Sequence, residues 1–135
     1  ACEIAGRDLE SLAAHLRSLR DELWRRLAEE VPGIELNGHP TLRLPNTLNV
    51  RFPRASGNAI LAGAPEIAAS TGSACHAGGE SASAVVLAMG RAPGEALGSV
   101  RLTLGRGTSR EDIATSAAAL ARSWREAVKV ASSAR

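Results

Sequence analysis

The first thirty residues carry an apolar stripe at helical spacing. Charged side chains such as Arg20 lie largely off this stripe, whose members are Leu9, Leu12, Leu16, Leu19, Leu23 and Leu27. Spacings of three and four place these leucines on one face of an α-helix. Pro32-Gly33 predicts where the helix ends. We expect this helix to pack on a sheet, because such a stripe more often covers a core than forms a coiled coil.

Two later segments alternate apolar and polar residues with a period of two. The alternating apolar positions are Leu48, Val50 and Phe52 in the first segment, and Val100, Leu102 and Leu104 in the second. Arg101 is one of the polar positions in the second segment. The alternation predicts two half-buried strands. The short stretches 34–36 and 67–69 predict two further brief strands.

Helices are predicted between and after these strands. Short helices are expected over 57–64, over 83–89 with a stop at Gly90, and from Pro93. Ser109 and Asp112 form a capping-box pattern that opens a long helix over 110–129, and we expect 131–135 to fray. Its predicted core face is Ile113, Ala117, Leu120, Trp124 and Val128. The mixed order predicts one α+β domain over 1–135, an α/β two-layer sandwich with long helices on a small sheet.

Composition narrows the function classes. The net charge is +2, aromatic residues make up 2% and no Lys/Arg block is present, which argues against a nucleic-acid partner. No apolar run reaches the length of a membrane span. Two cysteines, Cys2 and Cys75, fit a reducing cytoplasm better than a disulfide framework. The three histidines and two cysteines lack metal-ligand spacing, so we expect no metal site.

One cysteine lies in a run of small residues, Ser70-Thr71-Gly72-Ser73-Ala74-Cys75-His76-Ala77-Gly78-Gly79. The run has neither helical nor strand periodicity, which predicts a loop with no bulky neighbours to bury the thiol. An accessible thiol becomes reactive when its surroundings favour the thiolate, and His76 follows Cys75 directly. These residues alone support a reactive thiol and an incidental free cysteine about equally.

Three segments resemble cysteine desulfurases, which form part of the class V branch of the pyridoxal-phosphate (PLP) aminotransferase-like family. The run 70–75 resembles their active-cysteine loop, and Leu44-Pro45-Asn46-Thr47-Leu48-Asn49-Val50 and Gly98-Ser99-Val100-Arg101-Leu102-Thr103-Leu104-Gly105-Arg106 resemble family segments in the same order. Residues 31–38 also fit. The resemblance covers nearly the whole chain, and it implies the C-terminal small domain of a fold-type I PLP enzyme.

The resemblance also implies roles for individual residues. Cys75 would take the sulfur of L-cysteine as a persulfide, leaving alanine, and would pass it to a sulfur-acceptor protein for uses such as iron–sulfur cluster assembly. Ser73 and His76 would support the loop. Arg101 would bind the substrate carboxylate through its fork of donors, although without the resemblance a solvated strand arginine is the better interpretation. The parent enzymes are homodimers.

The family holds PLP on a lysine, and the only lysine here is Lys129, beyond every family motif. We therefore expect the PLP-binding large domain to be missing from this chain, and we expect the isolated chain to bind no PLP and to be inactive. Ser81-Ala82-Ser83 replaces the Glu-Pro-Ser that relatives commonly carry, which leaves the exit of the loop less fixed.

Other functions stay open at this point. A selenocysteine lyase shares the Ala-Cys-His stretch and the arginine, and a fragment of another class V aminotransferase is also compatible. The missing lysine supports a non-enzymatic persulfide carrier or a partner-docking module instead. A remnant with structure and no function is the remaining alternative.

Overall fold

The computed structural model describes residues 2–72 and 81–133. In chain order its helices and strands are α1 (Cys2–Glu30), β1 (Glu35–Leu36), β2 (Thr47–Arg51), α2 (Gly57–Ala62), α3 (Ala84–Ala88), α4 (Pro93–Ala96), β3 (Ser99–Thr103) and α5 (Arg110–Ser133). The order mixes helices and strands as the periodicities predict.

The strands form one antiparallel sheet in the order β1-β2-β3. Leu48 pairs with Leu102 and Asn49 pairs with Arg101, so apolar residues share one face and polar residues the other. The strand predicted at 67–69 is wrong. Its residues leave α2 through a turn, in which the amide of Ile67 donates to the carbonyl of Ala64, and no ladder forms.

Apolar side chains from one face of the sheet join those of the two long helices in a single core. The sheet side contributes Leu48, Val50, Phe52, Val100, Leu102 and Leu104, all buried. From α1 and α5, Leu27 and Leu120 are fully buried in the same cluster. Each fully buried side chain of this size stabilises the fold by about 1.5–3 kcal/mol. The predicted two-layer α+β sandwich is confirmed.

The first turns of α1 and the position of Arg20 depart from the predicted leucine stripe. Leu9 is 63% exposed, because the first turns of the helix do not pack into the core, whose first α1 leucine is Leu16. Arg20, expected on the solvent side, is only 5% exposed. Its burial is compensated by hydrogen bonds to the carboxylate of Asp21 and to the carbonyl oxygen of Leu44.

The capping box of α5 is confirmed. The backbone amide of Asp112 donates to Oγ of Ser109 at 3.1 Å, and the amide of Ser109 donates back to the Asp112 carboxylate at 2.8 Å. The helix continues to Ser133 rather than fraying from 131, since no glycine or proline interrupts its last turns. Among residues 2–72 and 81–133, no helix combines the length and apolarity needed to cross a bilayer.

Candidate functional site

Arg101 lies in the middle of β3 on the face opposite the core. Its neighbours Val100 and Leu102 are 0% and 5% exposed, whereas Arg101 itself is exposed. Within the described ranges, no carboxylate lies within ion-pair distance of its guanidinium. A rigid strand thus presents a guanidinium whose donors are available to a carboxylate ligand.

The start of the small-residue run is tied to this same arginine. Ser70 and Arg101 exchange both backbone hydrogen bonds, with N···O distances of 2.7 and 3.2 Å. Oγ of Ser70 also donates to the carbonyl oxygen of Gly72 at 2.7 Å, which fixes the turn that follows. Residues 70–72 therefore form a stem anchored beside Arg101 by main-chain contacts.

The N-terminal end of α2 supports the other side of this stem. Oγ1 of Thr71 donates to Oδ1 of Asn58 at 2.9 Å. A Cβ added at Gly57 would lie 2.6 Å from the carbonyl oxygen of Ser99 and 2.8 Å from Cγ2 of Thr71, so only glycine fits there. Sequence reasoning missed Gly57 and Asn58. The available signal was an N-cap serine, Ser56, followed directly by a glycine.

The remaining candidates of the small-residue run lie outside the described residues. These are Ser73, Cys75 and His76, within 73–80. Cys75 follows Ser70 by five positions in the sequence.

Ion pairs attach the segment that follows residue 80 to the polar face of the sheet. Arg51 bridges Glu35 at 2.6 Å and Glu95 at 3.1 Å, and Arg91 reaches Glu35 at 3.1 Å. The Arg51 hydrogen bond, followed by the charges of Arg51 and Arg91, lowers the pKa of Glu35. Ser83 precedes α3 without a side-chain capping bond. Besides the ion pairs, the buried side chains of Val86 and Ala96 and the hydrogen bond from the amide of Gly57 to the carbonyl oxygen of Leu97 hold the 81–97 segment in place.

Three asparagines near the sheet form hydrogen bonds that link its strands. Nδ2 of Asn46 donates to the carbonyl oxygen of Leu104 at 3.3 Å. Oδ1 of Asn49 accepts from Nδ2 of Asn37 at 3.0 Å. Asn37 is buried, and its Nδ2 also donates to Oγ of Ser99 at 3.0 Å.

The described residues do not fit PLP. The sole lysine, Lys129, is exposed near the C-terminal end of α5. A cavity of about 430 Å³ beside the end of β3 has the acidic residues Glu66 and Asp112 in its lining, and their negative charge disfavours a phosphate. No step through this cofactor is assigned to the chain. Over the same described residues, no group of three or more His, Cys, Asp and Glu side chains forms a metal site.

Comparison with known sequences gives partial matches to cysteine desulfurases. The chain is 36% identical over 72 residues to a cysteine desulfurase IscS of Acinetobacter baumannii, covering 53% of this chain and 18% of that protein. It is 42% identical over 74 residues to a cysteine desulfurase IscS of Methanosarcina thermophila, with the same coverage of each. The chain spans less than a fifth of the length of these relatives. No protein-family model matches it.

Solved structures agree in fold over most of the chain. A NifS-like protein superposes with a TM-score of 0.74 at 25% identity, over 89% of this chain and 30% of the other. A NifS-like protein from Rickettsia africae gives a TM-score of 0.74 at 23% identity, over 88% and 31%. The chain is therefore similar to part of the cysteine desulfurases, and the resemblance seen in its motifs is confirmed.

Proposed function

Because the chain resembles part of the cysteine desulfurases, we propose that it is the C-terminal small domain of such an enzyme. In this proposal it contributes Cys75 and Arg101 to sulfur abstraction from L-cysteine. The observation that best supports the proposal is the backbone pairing of Ser70 with Arg101. This pairing joins two of the family-like segments, and Cys75 follows Ser70 by five positions in the sequence.

Arg101 binds the substrate carboxylate in this proposal. Arg101 lies on a strand between two buried neighbours, which restricts its backbone. The point from which its side chain extends is therefore fixed. Two parallel N–H···O bonds to one carboxylate fix both the position and the direction of the amino acid. The rest of the substrate, including its sulfur, is then held at a set distance from the stem of the cysteine run.

Cys75 accepts the sulfur. Its thiolate forms an S–S bond with the sulfur of L-cysteine while the C–S bond of the substrate breaks. The electron pair of that bond stays with the substrate carbon, which takes up a proton and leaves as alanine. The persulfide on Cys75 then passes to a sulfur-acceptor protein, with Ser73 and His76 supporting the loop. The proposed partner for cofactor binding is a PLP-binding large domain.

A chimera tests this function. Residues 1–135 would replace the matching segment of the Acinetobacter baumannii IscS, and alanine and sulfide would be measured after addition of L-cysteine. We expect both products from the chimera, neither from its Cys75→Ala variant, and neither from residues 1–135 alone with added PLP. Lys129→Ala should leave the chimera active, because the lysine lies far from the family motifs in sequence.

Two outcomes would contradict the proposal. Full activity of the Cys75→Ala chimera would show that Cys75 is not the residue that accepts the sulfur. Residues 1–135 alone would be tested in the same way with and without Lys129→Ala. If they turn over L-cysteine and the Lys129→Ala variant does so too, the proposal that a separate large domain must bind the cofactor is wrong. The same chimera offered L-selenocysteine separates a desulfurase from a selenocysteine lyase by the ratio of the two rates.

A non-enzymatic persulfide carrier is a second candidate, which the exposed position of the only lysine favours. A carrier would accept sulfur on Cys75 from a separate persulfide donor, such as glutathione persulfide. Its chimera with the relative would not turn over L-cysteine. The chimera assay therefore distinguishes the two candidates directly.

A further inference from the structure

A short loop between β1 and β2 exposes two leucines on either side of an arginine. Leu42 is 80% exposed and Leu44 is 66% exposed, whereas Arg43 between them is half-buried. We propose that residues 39–44, hereafter the leucine loop, dock an acidic segment of a separate partner polypeptide. A carboxylate of that segment pairs with Arg43, and its apolar residues cover the two leucines. This inference does not depend on the proposed function.

The leucine loop is held in one shape by its own side chains. Nδ1 of His39 accepts hydrogen bonds from the backbone amides of Thr41 at 3.1 Å and Leu42 at 2.9 Å. Nε and Nη2 of Arg43 donate to the carbonyl oxygen of His39 at 2.8 and 2.6 Å. Nη1 of Arg20 donates to the carbonyl oxygen of Leu44 at 2.9 Å. The two leucines therefore project from an ordered loop. Binding of a partner there costs little conformational entropy, because the loop is already held in one shape.

The electrostatic surroundings of Arg43 favour an anionic partner. Burial lowers the pKa of Arg43, the positive charge of Arg20 lowers it further, and Asp21 opposes the shift. Arg20 is itself buried and forms an ion pair with the carboxylate of Asp21 at 2.7 Å. Among the described residues, Asp21 pairs with Arg20 alone, and no carboxylate lies within ion-pair distance of Arg43. A second carboxylate brought by a partner would balance the charge, and partial burial strengthens such a pair.

The cavity at the leucine loop matches a side chain rather than a metabolite. Its volume is about 150 Å³, and its lining includes Leu42, Arg43 and Leu44 together with the polar side chains of Thr47 and Asn49. Small-molecule sites usually measure about 300 Å³ or more. One aspartate or glutamate side chain fits the smaller space, and the exposed leucines around it suit the apolar residues next to that side chain in a peptide.

A pair of peptides tests the proposal on the full chain. The probes are N-acetyl-Leu-Glu-Leu-amide and its matched Leu-Gln-Leu control, titrated into ¹⁵N-labelled protein and followed through backbone amide shifts. We expect the Glu peptide to shift the amides of residues 41–44, 46 and 47 and to bind about tenfold more tightly than the Gln peptide. This preference should shrink as salt is raised.

Variants assign the effect to the leucine loop. Arg43→Gln should abolish the preference for the Glu peptide, and Arg43→Lys should keep part of it, because the charge remains while the guanidinium hydrogen bonds to the carbonyl of His39 are lost. Arg54→Gln, at an exposed arginine elsewhere on the surface, serves as the matched control and should change nothing. Leu42→Ser removes none of the loop hydrogen bonds, so it tests the apolar contacts even if Arg43→Gln loosens the loop. It should weaken binding of both peptides.

Three results would overturn the proposal. Equal affinity for the two peptides would exclude the carboxylate pair, and so would a Glu preference that survives Arg43→Gln. Unchanged binding in the Leu42→Ser variant would exclude the leucines. Dimerisation of the chain in sedimentation experiments that Leu42→Ser abolishes would show that a second copy covers the loop, rather than an acidic partner.

Discussion

Arg101 can be tested separately from the loop stem that it anchors. Its guanidinium is exposed on the polar face of β3, but its contacts with Ser70 are made entirely by backbone atoms. Substitution of the side chain therefore leaves those hydrogen bonds in place. An effect of Arg101→Ala on catalysis reports on the guanidinium itself.

In the chimera, Arg101→Ala should lower kcat/KM for L-cysteine about 30- to 1,000-fold. The loss of a bidentate charge-assisted contact costs roughly 2–4 kcal/mol, because the substrate carboxylate is left without its partner. Arg101→Lys should recover only part of the activity, since an ammonium does not fork. Steady-state kinetics with the two variants measure both effects.

The control variant is Thr103→Ala, an exposed position on the same face of the same strand. It should leave kcat/KM within a few-fold of the unsubstituted chimera. Cysteamine, which lacks the carboxylate, is the control substrate. If Arg101→Ala harms cysteamine turnover as much as cysteine turnover, the arginine supports the domain rather than the substrate, and the carboxylate assignment is wrong.

At the scale of elements, the start of α5 links stability to pH. Hydrogen bonds from the backbone and then the side chain of Ser109 lower the pKa of Asp112. A carboxyl whose folded pKa is lowered stabilises the fold above its unfolded pKa of about 4 and loses that contribution as pH falls through the folded value. The charge also suits the positive end of the helix dipole.

Thermal unfolding measured between neutral pH and about pH 3 tests this capping box. Asp112→Asn should lower Tm at neutral pH and should reduce the fall in Tm on acidification relative to the unsubstituted chain. Ser109→Ala should cost about 1 kcal/mol of stability, whereas Ser109→Thr, which keeps the hydroxyl, should cost less. A Tm profile that Asp112→Asn leaves unchanged at every pH would contradict the assignment.

The elements themselves were predictable where burial follows a period. The alternation around Val50 and Val100 fixes which strand faces are buried, and the leucine spacing fixes the buried side of α1. Contacts between distant positions leave no such pattern. The burial of Arg20 is accompanied by a hydrogen bond to the carbonyl oxygen of Leu44, far along the chain, and Leu9 is exposed although it continues the leucine spacing.

The candidate site was predictable only in part for the same reason. The motif around Arg101 predicts its strand, and the structure confirms that strand and the exposure of the side chain. The pairing of Ser70 with Arg101 and the contact of Thr71 with Asn58 join segments that share no local periodicity. The close approach at Gly57 depends on where β3 lies, which the local sequence does not specify.

At the scale of the whole molecule, the sheet separates two tasks. Its apolar face packs on the long helices and supplies the stability of the domain, while its polar face carries Arg101 and the ion pairs of Arg51. Both ends of the cysteine segment therefore meet the sheet, at Ser70 before it and through the 81–97 segment after it. This arrangement agrees with a small domain that holds a reactive loop at a fixed base, as we propose.

The central claim is that Cys75 is the residue that takes sulfur from L-cysteine, and peptide mass mapping tests it most directly. The chimera would be incubated briefly with L-cysteine, alkylated with iodoacetamide and digested. The account predicts one additional sulfur atom on the peptide that contains Cys75, none on the peptide that contains Cys2, and none anywhere in the Cys75→Ala variant. Additional sulfur on Cys2, or on a cysteine outside residues 1–135 while Cys75 carries none, would contradict the account.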